Sequence, residues 1–397
     1  MRTDPPLFTR PFVLLLAAQA IFGFGFSTFL ILPTYLTKAL AASPSQIGLV
    51  TAIFGISSMI FMPLVGDWAD RTRRLPWAMA GAGICAVASL GFVWVHDIGP
   101  LVYVLRLLHG FGNALEFVAA GALTTDLVPK KRLGQGLGFF GVSILSTNAV
   151  APAAAEAIAS RWGWGAAFSI AAIASTIGLL LLSRVKEPER EPSHAKVRSI
   201  FHVAFTRRSL WSSGFVALIG VGFASLFTFI QPYALDLGAS RVGSFFLGYT
   251  ATAVGVRVVF GGLSDRLGRA RVGLAMMILY SVPIALSADL QLSWLPWIGA
   301  IFGLAHGLLF PTLNALVVEP VPPNERAKVL ALFMAAFNAG WSLGSVALGL
   351  IAEAVGYPVV FWAATAAVWA AALIFIASAE ARRAIGRAPS QPSAAPG

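Results

Sequence analysis

Gly66-Asp67-Trp68-Ala69-Asp70-Arg71-Thr72-Arg73-Arg74 closes one long apolar stretch of the chain, and Gly261-Gly262-Leu263-Ser264-Asp265-Arg266-Leu267-Gly268-Arg269 closes another, 195 residues further on. In both, Asp-Arg follows the leading glycine at the same distance. An Asp-Arg pair is unfavourable in apolar surroundings and well suited to a loop in water, so each copy marks a place where the chain leaves a membrane. Recurrence in register divides the sequence into two related halves. Other pairs extend the repeat outward: His109-Gly110 matches His306-Gly307 at an offset of 197, Pro129 and Arg132 match Pro323 and Arg326 at 194, and Gly163 and Phe168 match Gly356 and Phe361 at 193. Differences in loop length account for the drift.

Hydrophobic residues fill 57% of the 397 positions and charged residues 11%, against about 25% charged in soluble domains. The solvent for such a chain is lipid. A spanning helix needs about 20 mainly apolar residues. The sequence predicts twelve such segments, at 12–37, 46–66, 76–95, 101–126, 134–158 and 165–183, then 210–235, 243–262, 272–288, 294–318, 327–350 and 358–379. Their apolar runs are continuous, not alternating, which selects helices over a barrel. The expected fold is an all-α membrane protein of twelve transmembrane helices, in two six-helix pseudo-symmetric halves around a central cavity. Halves of equal topology are related by an axis along the membrane normal, and rocking them exposes the cavity to alternate sides. The expected divisions are an N-terminal half over 1–183, a cytoplasmic linker over 184–209, a C-terminal half over 210–380 and a disordered tail over 381–397.

A net charge of +11 admits a nucleic-acid partner, but its distribution argues against one. Of the 28 Lys and Arg residues, 23 fall in the termini and in or at the edge of loops after even-numbered segments; Lys38, Arg161 and Arg241 lie in the opposite loops, and Arg106 and Arg257 well inside segments. This is the positive-inside asymmetry, and it puts both termini in the cytoplasm. Cys85 is the single cysteine, so no intramolecular disulfide can form. The first apolar run is long enough to remain as a span, and no separate cleavable signal is expected before it.

With these features the chain resembles the major facilitator superfamily over essentially its full length. The family's loop motif, Gly-x-Leu-Ala-Asp-Arg-x-Gly-Arg, is matched well by Gly261 to Arg269; in the first copy Gly66, Asp70 and Arg71 match, and Arg73 stands at the motif glycine. Arg106-Leu107-Leu108-His109-Gly110-Phe111-Gly112 is similar to the family's Arg-x-x-x-Gly-x-Gly, and Asp126 to Arg132 looks like the loop that follows it. The resemblance is to the bacterial efflux branch, the sugar- and drug-exporting permeases with proton antiport. There, segment five usually carries Gly-Pro-x-x-Gly-Gly; here Ala151-Pro152-Ala153-Ala154-Ala155-Glu156 takes its place, with Glu156 at the last glycine. This departure leaves the direction of transport open. The resemblance makes Gly66, Asp70, Arg71, Gly261, Asp265 and Arg266 a cytoplasmic gating motif, in which Asp70 contacts the other half and favours the outward-facing state. The residues themselves allow a carboxylate that accepts from a neighbouring helix N-terminus, or a loop charge that only fixes topology.

Segment four holds the densest polar set. At about 100° per residue, Arg106, His109, Asn113 and Glu116 share an arc of about 80°. Such a stripe is unfavourable against lipid, so it faces the cavity or another helix. Arg106 and Glu116 are about 15 Å apart along the axis, too far to pair within the helix. Glu116, nearer the middle of the span than either end, is the candidate proton-coupling residue, and Arg106 its charge partner or a substrate anchor. The plain alternative is an interhelical polar lock. His109 and His306 occupy equivalent positions, where a relay across the cavity competes with half-internal packing; with no Cys or carboxylate cluster beside them, no metal is expected. Gln19, Asn148, Gln231 and Asn338, with Ser342 and Ser345, are candidates for cavity hydrogen bonds. Glu156 reads equally as an outer gate or a hydrated end group, and Arg257 as a residue snorkelling to the interface or linked to the motif loop. Segments one and seven concentrate aromatics, Phe22, Phe24, Phe26 and Phe29, then Phe223, Phe227, Phe229 and Tyr233. These suit an amphipathic substrate or simple helix packing.

The function expected is secondary active transport by alternating access: proton-coupled efflux of a small amphipathic molecule, drug or sugar-like, across a bacterial inner membrane. Its partners are that substrate, protons and the bilayer, with a monomer sufficient and no nucleic acid or cofactor. No Gly-x-x-x-x-Gly-Lys-Ser/Thr loop occurs to couple ATP, and no His-Glu-x-x-His or Gly-x-Ser-x-Gly motif marks an enzyme. The rival readings are a proton symporter or uniporter for nutrient uptake, and a non-transporting sensor or scaffold.

Overall fold

Lipid offers backbone N–H and C=O groups no partners, so a chain this apolar satisfies them within helices. The computed structural model of the protein describes residues 6–189, 207–260, 263–319, 321 and 326–377, with the backbone alone at Asp70, Arg207, Arg208, Ala327 and Lys328. Gly261, Pro323, most of the expected linker, the expected tail and the side chain of Asp70 lie outside the described residues.

Among the described residues, twelve helices are long and apolar enough to span. In the first half they are α1 Arg10–Leu40, α2 Pro44–Ala69, α3 Leu75–Trp94, α4 Pro100–Leu127, α5 Lys130–Trp162 and α6 Trp164–Leu182. In the second half they are α7 Ser209–Asp236, α8 Gly243–Phe260, α9 Arg269–Asp289, α10 Leu292–Val318, α11 Val329–Val355 and α12 Tyr357–Ala377. The protein is a multi-pass integral membrane protein. Its helices alternate between a motif face, which carries the Gly66–Arg74 loop, and a far face, which carries the α1–α2 and α7–α8 connections. Gly163 (φ 83°) and Gly356 (φ 89°) make the equivalent one-residue turns α5–α6 and α11–α12 in a conformation that disfavours side chains.

Packing repeats between the halves. Helix α1 lies on α5 and α6, α2 on α4, and α3 on α4 and α6; correspondingly, α7 lies on α11 and α12, α8 on α10, and α9 on α10 and α12. The halves meet along two seams, α2 with α11 and α5 with α8, which the pseudo-two-fold axis exchanges. Small residues allow the first seam: a Cβ at Gly48 would overlap the Ser345 carbonyl, and one at Gly55 the Ser342 hydroxyl.

The first helix of each half loses regular α-geometry at an equivalent level. Helix α1 has a 3-10 turn at Phe29–Ile31 and α7 a π turn at Ser225–Phe229. Pro33 and Pro232 follow these turns, and each removes one i→i−4 bond from the ladder.

Candidate functional site

A cavity of about 430 Å³, counting the open space at its edge, lies between the halves beside these two turns. The N-terminal half contributes Phe26, Phe29 and Phe54 with Leu30, Leu32 and Pro33; the C-terminal half contributes Phe227 and Trp341. Thr51, Thr228 and Arg106 are the hydroxyl and charged residues of the lining. Arg106 sits six residues into α4, about 9 Å from its far-face end. Its side chain is buried, its Nε donates to the Val50 carbonyl at 3.3 Å, and its guanidinium lies 4.7 Å from the Phe54 ring centre. Among the described residues no carboxylate pairs with it. The indole Nε1 of Trp341 is buried without an acceptor among the described residues, and Thr228 Oγ1 lies 3.4 Å from Ser345 Oγ.

The other polar residues of α4 do not join Arg106 in this lining. His109 turns into its own half, with Nε2 3.0 Å from Ser89 Oγ and its ring against Phe29 and Phe92. Glu116 is fully buried and its Oε2 accepts from Gln19 Nε2 of α1 at 3.3 Å. The remaining oxygens, Glu116 Oε1 and Gln19 Oε1, have no donor among the described residues. Asn113 is half-buried with no protein hydrogen bond among the described residues. The predicted stripe is thus shared among the neighbours that ring α4, at different levels.

In the other half, His306 lies 2.9 Å from Tyr249 Oη through Nδ1 and stacks on Phe302. The two histidines therefore serve separate halves and are not brought together. Asn148 accepts from Ser27 Oγ at 2.7 Å, tying α5 to α1. Asn338 donates to the Met334 carbonyl within α11 at 2.9 Å. Arg257 donates to the Gly307 carbonyl at 3.2 Å, where Ser58 meets the Gly110 carbonyl at 3.0 Å in the first half. Gln231 does more than line a path: its amide donates to the Leu30 carbonyl at 2.9 Å and accepts from Thr34 Oγ1 at 3.0 Å, joining α7 to α1.

Hydrogen bonds that cross between the halves cluster at the far face. Glu156, at 6% exposure, accepts from the backbone N–H of Val242 and of Gly243, both at 2.8 Å, and so caps the N-terminus of α8. Glu353 makes the symmetry-related contact: its carboxylate accepts from Ser43 Oγ at 3.0 Å and from the Ser45 N–H at 3.2 Å, at the start of α2. Lys38 donates to the Ser240 carbonyl at 2.8 Å. Each carboxylate stands where a helix presents unpaired N–H groups and the positive end of its dipole. Along the same α5–α8 seam the approach loosens toward the motif face. There Gly134, Gly138 and Gly141 of α5 and Gly255 of α8 have no described residue within 4 Å of where a Cβ would sit.

At the motif face, Arg71 pairs with Asp67 at 2.9 Å on the surface, and Arg269 pairs with Asp265 at 2.9 Å. Arg266 is exposed. The last arginine of each motif also reaches the end of the fourth helix of its half: Arg74 pairs with Asp126 at 2.8 Å and Arg269 with Glu319 at 2.6 Å. Glu187, in the described part of the expected linker, is held by the first half. Its side chain, 2% exposed, accepts from the Arg74 N–H at 2.6 Å and pairs with Arg73 at 3.1 Å, capping α3.

Sequence reasoning missed Glu353, the Asp126 and Glu319 partners, and Trp341. Glu353 and Glu156 are 197 residues apart, an offset the repeat already displays. Nothing local to the sequence distinguishes Trp341.

The chain belongs to the Major Facilitator Superfamily, whose profile matches residues 14–298 and again 240–395. By family and fold it is a membrane transporter. The multi-drug resistance efflux pump PmrA of Streptococcus pneumoniae (serotype 4, strain ATCC BAA-334 / TIGR4) is 28% identical over 335 residues, covering 80% of this chain and 82% of that one. The staphylopine export protein of Staphylococcus aureus (strain Mu50 / ATCC 700699) is 23% identical, covering 80% and 83%. A bacterial homologue of the human lysosomal transporter Spinster, in an inward-facing and unoccupied conformation, superposes with a TM-score of 0.77 at 15% identity, covering 98% of this chain and 100% of that one.

Proposed function

We propose that the protein is a secondary active transporter that works by alternating access and exports a small amphipathic molecule against inward proton flow. The observation that carries this reading is a cavity built by both halves and closed over, among the described residues at one face only, by contacts that must break for the halves to move. The Lys and Arg bias puts the motif face and both termini in the cytoplasm, so this form faces inward. Substrate enters among the aromatic side chains beside Arg106. Release of the Glu156 and Glu353 caps then lets the far face open, while the irregular turns before Pro33 and Pro232 absorb the bending of α1 and α7. The glycine face of α5, at residues 134, 138 and 141, has the spacing for close helix contact and supplies the motif-face seam of the alternate form. In that form the Asp70 contact expected from the family pattern would complete the closure.

Glu116 is the residue we assign to proton coupling. Together with Gln19 it buries two acceptor oxygens that lack a donor, and a proton carried by the carboxyl group supplies one. Efflux is favoured over uptake by the relatives named as exporters. The test is flux into proteoliposomes under an imposed pH gradient, with a panel of amphipathic compounds. Accumulation of at least one compound that collapses with the gradient is expected. No saturable flux of any compound would refute the transporter reading.

A further inference from the structure

The polar lining of the central cavity is one-sided. Arg106 is 94% buried, given its 6% exposure, and faces the cavity without a carboxylate partner among the described residues. Its Nε is occupied by the Val50 carbonyl, and no protein acceptor among the described residues engages its Nη atoms. The indole N–H of Trp341, a second lining residue, is buried and unpaired. The other polar members are the hydroxyls of Thr51 and Thr228; among the described residues no Asp, Glu, His, Asn or Gln lines the space. A desolvated guanidinium with no counter-ion is strongly unfavourable, as is a buried N–H with no acceptor. An incoming acceptor with a negative charge relieves both.

We infer that the cavity is built for an amphipathic organic anion, an apolar aromatic or aliphatic body bearing one acidic group. The acid is received by the Arg106 Nη atoms, in the two-pronged arrangement guanidinium makes with carboxylate or sulfonate, with the Trp341 N–H as a further donor. Phe26, Phe29, Phe54 and Phe227 enclose the body. A lipophilic cation meets a like charge and no carboxylate there. A sugar, which needs acceptors on several sides, finds two hydroxyls. This inference rests on the transporter reading for its physiological meaning, but the binding site can be tested without it.

The experiment uses the full chain in nanodiscs of phosphatidylcholine, which adds no net anionic lipid, and titrates calorimetrically three probes with one ring system: naphthylacetate, naphthylethanol and naphthylethylamine. The acid is expected to bind roughly 30-fold or more tighter than the alcohol, the scale of removing one partner from a buried charged pair, and the amine weakest of all. Arg106→Gln should abolish the preference for the acid, and Arg106→Lys should keep part of it. Trp341→Phe, which keeps the ring and removes the donor, should weaken the acid more than the alcohol and carries the test if Arg106→Gln does not fold. Alcohol or amine binding as tight as the acid would overturn the inference. So would an acid preference that survives both Arg106→Gln and Trp341→Phe. Counterflow of the same probes in proteoliposomes separates the two readings. Preferential flux of the amine would remove the anion and leave the transporter, whereas saturable acid binding without flux of any compound would leave the anion site and remove the transporter.

Discussion

Replacing Glu156 with alanine should tip the protein toward opening at the far face, by an amount that follows from its two contacts. The carboxylate is 6% exposed and accepts two backbone N–H groups of the other half at 2.8 Å. A hydrogen bond to a charged group contributes about 1.5–3 kcal/mol, and a partly buried charge at a helix terminus up to about 2 kcal/mol. Taking the lower end for both bonds gives about 3 kcal/mol, or roughly 100-fold in an equilibrium constant. These bonds exist only while the halves touch at the far face, so the whole effect falls on one state. The assay places a cysteine at Thr51, which lines the cavity, in a Cys85→Ala background. Its labelling rate by a membrane-impermeant thiol reagent added at the far side is then measured. Glu156→Ala should raise that rate until the open form predominates. Glu353→Ala should raise it much less, because Glu353 is exposed and held in water. An unchanged rate in folded Glu156→Ala protein would refute the assignment of Glu156 to the seal.

Further outcomes follow from other contacts. Gly55→Val puts a branched side chain where the Ser342 hydroxyl now sits, and should hold the far face open and stop flux. Gly138→Val, on the open glycine face of α5, should block closure of the motif face and give the opposite labelling pattern; normal flux in either variant would show that its helices do not need to approach. Arg74→Ala removes one member of the Arg74–Asp126 pair, whose side chains are 10% and 19% exposed, and should lower stability by about 3–5 kcal/mol. Arg269→Ala breaks the repeat-related pair, whose Glu319 is 64% exposed, and should lower it by about 1 kcal/mol or less. Thermal melts that rank the two variants the other way would contradict the burial argument.

The fold was legible because lipid imposes a simple rule: a continuous apolar run becomes a spanning helix, and Asp-Arg ends it. The repeat at Gly66 and Gly261 then supplied the two halves without any reference to packing. Side-chain meetings were harder to read, for geometric reasons. Angles along α4 placed Arg106, His109, Asn113 and Glu116 in one arc, but α1, α2 and α3 pack on α4 within one half and divide that arc by height. His109 and His306 look like a pair because the repeat aligns them. The pseudo-symmetry instead gives each an equivalent place in its own half, beside Ser89 and Tyr249. Glu156 could be placed near the outer end of its helix from sequence. Its role as a cap depends on which helix begins beside it, and that knowledge comes only from the tertiary arrangement. The same holds for Glu353, which at the end of an apolar run looks like any interfacial carboxylate.

The most direct measurement of the central claim is proton movement set off by substrate in proteoliposomes, for wild type and Glu116→Gln side by side, with unlabelled-for-labelled substrate exchange as the control for folding and binding. Substrate should drive proton release in the wild type, and Glu116→Gln should lose this release while still exchanging substrate, since glutamine can keep a hydrogen bond to Gln19 but carries no exchangeable charge. Proton-coupled flux that is unchanged in Glu116→Gln, or substrate equilibration with no proton movement in the wild type, would contradict it.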